Sequence, residues 1–167
     1  MPTGIRKNLC YHVILSPGHL HVIVTWRNEV NNAMAGQIPQ VGAQATLTRT
    51  ITHEMVVAFA DLVGDHNPVH LDQAFAATTR FGRRIAHGML VAGLMSSVIA
   101  TDLPGPGCVY LSQTLRFKAP VYLGDTITVH IEVIKRREDK PIVTLATVCT
   151  NQDGTTVIEG EAVVLVQ

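Results

Sequence analysis

Eleven residues, LVGDHNPVHLD (Leu62–Asp72), gather two carboxylates, two imidazoles, an amide and a proline inside an otherwise apolar chain. Asp65 and His70 are the pair whose chemistry fits a common task. A carboxylate accepts one proton of a bound water while an imidazole orients or relays the other, which is general acid–base catalysis. They stand five residues apart, not the three or four that share a helix face. Pro68 between them drives Asn67 out of the helical region, so the segment reads as a stiff, extended loop. Such a loop keeps two groups aimed at one point. Asn67 adds a neutral hydrogen-bonding group for the loop or for a ligand. A plainer reading stays open, with Asp65 and Asp72 as turn and cap residues and His70 exposed.

A second feature is AHGML, Ala86–Leu90. Gly88 opens a long apolar run, so the unpaired N–H groups and positive dipole end of a helix would sit there. Glycine lets a ligand oxygen come close to the backbone, and enolate-like charge would be stabilised at that point. An ordinary helix start fits the same residues. Other chemistries find less support. His66, His70 and Asp72 are close in sequence, but no H-E-x-x-H or Cys/His spacing accompanies them, so no metal is expected. The chain has no G-x-S-x-G elbow, which disfavours an acyl-enzyme serine.

The elements that must position these groups are legible from pattern. ATLTRTIT, from Ala45, alternates as a strand. Thr52 is placed to cap HEMVVAFADLVG, where Met55, Val56, Phe59 and Leu62 form a helical stripe. Asp72 is placed to cap a short helix, QAFAATTRF, closed by Gly82. GMLVAGLMSSVIATDL is apolar on nearly every side, the mark of a buried helix, and PGPG ends it. CVYLSQTLRFKAPVYL, DTITVHIEVIKRRE, PIVTLATVCTN and TTVIEGEAVVLVQ then read as four strands separated by GD, EDKP and QDG turns. One early and four late antiparallel strands need a cover, and the apolar helix supplies it. The expected architecture is α+β, a sheet wrapped around one central helix.

The bulk numbers agree with a single domain of about this size, since 167 residues are tight for two. With 47% hydrophobic and 16% charged residues, a packed core is expected and disorder is not. Thirteen basic residues balance thirteen acidic ones, which argues against electrostatic capture of nucleic acid or an anionic membrane. No apolar run approaches the ~20 residues that span a bilayer. Cys10, Cys108 and Cys149 are scattered and odd in number, as reduced thiols of a cytoplasmic protein would be. Residues 1–40 read as an extension and linker and 41–167 as the domain, with Met34 an alternative start. Within the extension, HLHVIVTW suggests a short strand. His12, His19, His21 and the Pro17–Gly18 break make it a poor signal peptide.

FADLVGDHNPVHLDQAFAATTRFG, then IAHGML, then LSQTLRFKAPVYLGD, in that order, resemble the MaoC-like (R)-specific enoyl-CoA hydratases across roughly Val41–Gln167. The resemblance implies a hot dog fold, an antiparallel sheet wrapped around a long central helix. It also implies reversible hydration of a trans-2-enoyl-CoA to the (R)-3-hydroxyacyl-CoA, within fatty acid metabolism or polyhydroxyalkanoate synthesis. Asp65 and His70 would be the catalytic dyad, and the Gly88 N–H would meet the thioester oxygen. Phe117 would line the acyl-CoA site, while Ser96, Ile99 and Val164 would face the acyl pocket. No metal or redox cofactor is implied, and a homodimer is. One departure is Val63, where the family commonly carries Ser or Thr before the G-D pair.

Three rivals share the fold. A thioesterase often carries an acid within the central helix, and Gly88–Thr101 contains none. An acyl-carrier-protein dehydratase runs related chemistry on another carrier. A non-catalytic acyl-CoA-binding subunit would more naturally lack Asp65 or His70.

Overall fold

The computed structural model describes residues 7–16, 19–28 and 37–167, the first two stretches by their backbone alone. The chain divides into two compact units, Met1–Met34 and Ala35–Gln167. In the first, β1 (Lys7–Ser16) and β2 (His19–Asn28) form an antiparallel ribbon paired from Lys7 with Asn28 to Ser16 with His19. The strand expected in HLHVIVTW is thus the start of a longer one, with a partner not foreseen. Met34 and residues 29–36 of the linker reading lie outside the described residues.

In the second unit, β3 (Gln44–Thr50) precedes α1 (His53–Val63), two short helices and α4 (Gly88–Thr101). The short helices are α2 (Pro68–Leu71) and α3 (Gln73–Ala77). Four strands close the chain: β4 (Val109–Phe117), β5 (Thr126–Arg136), β6 (Ile142–Thr150) and β7 (Thr156–Leu165). All pair antiparallel, in the order β3-β5-β6-β7-β4, so β3 and β4 are the edges.

Alternation explains the sheet. Ile127, Val129, Ile131 and Val133 of β5 point inward, as do Val143, Leu145 and Cys149 of β6 and Val157, Ala162 and Val164 of β7. They share one core with Val91, Leu94, Met95, Val98 and Ile99 of α4. Each such burial is worth on the order of 1.5–3 kcal/mol, so no single strand residue decides the fold. This α+β arrangement is the hot dog fold expected from the sequence.

Some boundaries moved. CVYLSQTLRFKAPVYL is a strand only to Phe117, after which Lys118–Leu123 leaves the sheet. The QAFAATTRF helix stops at Ala77, where the Thr78 and Thr79 hydroxyls donate to the Phe75 and Ala76 carbonyls. On α1 the buried residues are Val56 and Ala60, whereas Leu62 is 83% exposed. Helix α4 is buried on its sheet side only, because Gly93, Ser96, Ser97 and Ala100 form an exposed face of small residues. Cys108 and Cys149 are free thiols, and burial pushes Cys149 up to about 12. Among the described residues no helix is long and apolar enough to cross a membrane.

Candidate active site

Helix α1 begins as expected, with the Thr52 hydroxyl accepting the Met55 N–H. It ends at Gly64 in the left-handed region (φ 78°), which turns the chain sharply and delivers Asp65 just beyond the helix. The Asp65 Oδ1 accepts the Asn67 N–H at 3.3 Å, and the Asn67 Oδ1 accepts the Val69 N–H at 3.2 Å. These two bonds wind the segment into α2 rather than an extended loop. The physical reason is that proline excludes the helical region for the residue before it, not for itself. Pro68 is preset for the first helical position, and Asn67 is its cap. Asp72 then caps α3, accepting the Ala74 and Phe75 N–H groups at 2.8 and 3.0 Å.

His70 therefore sits on a single helical turn, and it is buried, 9% exposed. Its Nδ1–H donates to the Ile85 carbonyl at 2.8 Å, which leaves the Nε2 lone pair free. Burial holds the imidazole below its ordinary pKa. The Ile85 bond opposes that shift, the neighbouring His87 adds to it, and Asp65 opposes it. A neutral imidazole with a free lone pair, beside a carboxylate, is equipped to hold a water.

His87 is the residue that sequence reasoning passed over. It caps α4, is 2% exposed, and its Nε2–H donates to the Asp65 carbonyl at 2.9 Å. Its ring lies 3.8 Å from that of His70 and 5.0 Å from Phe59, centroid to centroid. One side-chain donor atom from each of Asp65, His70 and His87 falls within 4.8 Å of the others. Such a trio has the atoms to hold a cation or a water. The available signal was the histidine directly before Gly88, a helix cap facing the loop.

Gly88 opens α4 as anticipated, and its first-turn N–H groups point out of the helix. A side chain at this position would have to displace the Phe117 ring. A Cβ there would lie 2.6 Å from Cε1 of Phe117. Gly88, His70 and Phe117 share a cavity of about 440 Å³ with Arg80, Phe81, Met89 and Lys118. Arg80 and Lys118 are the charged groups on that wall. A second hollow, about 480 Å³, is lined by Phe59, Val63, Asp65, His70, His87, Gly88 and Met89. His70, Gly88 and Met89 thus form a partition between the two.

Not every residue named from the sequence comes to this place. Asn67 holds the loop and lines neither cavity. Ile99 and Val164 are fully buried in the core, and Ser96 lies on the exposed face of α4, so none of the three lines either cavity. Val63, which replaces the family's usual hydroxyl, is half exposed and forms part of the second hollow.

In this hot dog domain a carboxylate and an imidazole stand beside the N-terminus of the central helix. The chain belongs to the MaoC-like domain family, whose pattern matches residues 35–153. It is 50% identical to the (R)-specific enoyl-CoA hydratase of Aeromonas caviae over 131 residues, 78% of this chain and 98% of that protein. The (R)-specific enoyl-CoA hydratase of Rhodospirillum rubrum is 49% identical over 125 residues, covering 75% and 86%. Among solved structures, the (R)-hydratase of Aeromonas caviae superimposes with a TM-score of 0.77 at 49% identity, covering 79% of this chain and all of that one.

Proposed function

We propose that this chain is an (R)-specific enoyl-CoA hydratase, a hydro-lyase that adds water reversibly to trans-2-enoyl-CoA. The observation that carries the reading is the meeting of Asp65, His70 and Gly88 around one partition, in a chain half identical to hydratases of that name. Water sits between the Asp65 carboxylate and the free Nε2 of His70. Its oxygen bonds to C3 of the substrate while a proton passes through the dyad to C2. The double-bond electrons move toward the thioester oxygen as the C3–O bond forms. The Gly88 N–H, aided by the helix dipole, meets the charge that builds there. Nothing is oxidised or reduced, so the reaction calls for no cofactor, and no metal is assigned.

Arg80 and Lys118 on the wall of the first cavity favour a thioester whose carrier bears phosphates. Both coenzyme A and an acyl-carrier-protein arm meet that description, and the identity to CoA hydratases favours the former. A dehydratase of carrier-protein thioesters is the second reading. The edge strand β4 leaves Val109, Tyr110 and Leu111 exposed, which supports a homodimer, since unpaired apolar edges seek cover. We place the protein in the cytoplasm, with a product suited to fatty acid metabolism or polyhydroxyalkanoate synthesis.

The deciding experiment follows loss of enoyl-thioester absorbance across several chain lengths, on CoA and carrier-protein substrates, with product stereochemistry determined. Rapid hydration of enoyl-CoA to the (R)-alcohol is expected. Faster turnover of carrier-protein thioesters would favour the dehydratase, and binding without water addition would reduce the chain to an acyl-CoA-binding subunit.

A further inference from the structure

We propose that His87 is a third, positioning member of the site, tying the water-holding dyad to the thioester end at a fixed distance. The inference rests on the hydratase reading and adds to it. His87 donates its Nε2–H to the backbone carbonyl of Asp65 at 2.9 Å and is itself the residue before Gly88. One imidazole therefore joins the carboxylate that polarises water to the N–H that receives charge from the substrate. Those two groups come from segments more than twenty residues apart in sequence, and Asp65 lies on an exposed turn. Bonds to Ile85 hold the far end of the segment, from its N–H to the Val69 carbonyl and from His70 to its carbonyl. The His87 bond fixes the Asp65 end, where a drift of about 1 Å is enough to slow catalysis about a hundredfold.

The second observation is a polar atom left unpaired. His87 Nδ1 is buried and has no hydrogen-bond partner, the one such side-chain atom among the described residues. An unpaired buried nitrogen lowers stability, and an apolar ring at the same place would avoid that loss. The imidazole is retained because its other nitrogen makes the bond to Asp65. Packing fixes the ring in that orientation, between His70 at 3.8 Å and Phe59 at 5.0 Å.

Three variants test the role. Gln places an amide N–H near the Nε2 position, Asn places one near Nδ1, and Phe keeps the ring but offers no donor. On crotonyl-CoA, His87→Asn and His87→Phe should lower kcat about 10- to 100-fold with KM within about threefold. His87→Gln should stay within about fivefold of the parent because it restores the donor. Thermal midpoints measured alongside separate this from general destabilisation. Equal activity in Gln and Asn variants overturns the proposal, as does a rise in KM at constant kcat. Should the Phe variant fail to fold, the Gln–Asn difference still decides. A parent chain that does not hydrate enoyl-CoA at all overturns the hydratase reading instead.

Discussion

Two aspartate–histidine pairs with the same five-residue spacing lie side by side, Asp61 with His66 and Asp65 with His70. The first is a direct contact of 3.0 Å between exposed side chains, and the hydrogen bond from the His66 Nε2–H to Asp61 raises the His66 pKa. In the second, His70 is buried, donates to a backbone carbonyl instead, and has its pKa lowered. Identical residue types at identical spacing have opposite electrostatic fates. The outer pair is closed in that its imidazole and carboxylate bond each other in solvent, and neither lines either cavity. The inner pair is open, because the Ile85 carbonyl and the Asn67 N–H each take one atom and leave another free.

The largest effect should come from removing the inner carboxylate. Asp65→Asn is expected to lower turnover of crotonyl-CoA by about 10²–10⁴-fold, the range for losing a general base. Its thermal midpoint should barely change, because an exposed turn carboxylate contributes little packing. Asp61→Asn, measured in parallel, should leave turnover within about twofold, since an exposed ion pair does little. Comparable losses in both variants would erase the distinction between the pairs.

A smaller loss should follow at the other end of the open site, where Gly88→Ala tests the backbone rather than a side chain. The new methyl would meet Cε1 and Cδ1 of Phe117 at 2.6 and 2.9 Å. That ring is 54% exposed and able to swing away, so the fold should survive while the mouth of the cavity it lines deforms. We expect kcat/KM on crotonyl-CoA to fall about 10- to 100-fold. Phe117→Ala removes the clash, so adding Gly88→Ala to it should cost little more, as contacting residues are non-additive. Additive losses would show that the glycine matters for some reason other than its approach to Phe117.

How much of this was legible follows from the kind of signal each part leaves. The strands were readable because burial imposes a period of two, and α4 because its run is apolar on nearly every side. Asp65, His70 and Gly88 were readable because polar groups and a glycine stand out against an apolar background. His87 left no such trace, since a lone histidine before a helix looks like any cap until the fold brings Asp65 against it. Pro68 misled for a local reason, as its effect on Asn67 was weighed and its own fitness to start a helix was not. Ser96, Ile99 and Val164 were placed by register with the family, and register does not say which side of a wall a residue occupies. In this chain two of them form the wall's interior, packed in the core.

The subtlest consequence of the two pairs is their opposite pull on stability as pH changes. His70 has a folded pKa below the ordinary 6.5, so the unfolded chain binds more protons between the two values. Stability must then rise with pH across that window, up to about 6.5. His66 has a folded pKa above 6.5, so the folded chain binds more protons there. Its contribution is fully present below 6.5 and is lost as pH climbs through the raised value. Because His66 is solvent-exposed, its share should be the smaller of the two. Denaturant midpoints followed across the neutral range should separate them. His70→Gln should flatten the acid side of the profile, and His66→Gln should flatten only the side above 6.5. If both substitutions flatten the same side, the two imidazoles share one environment and the contrast between open and closed pairs fails.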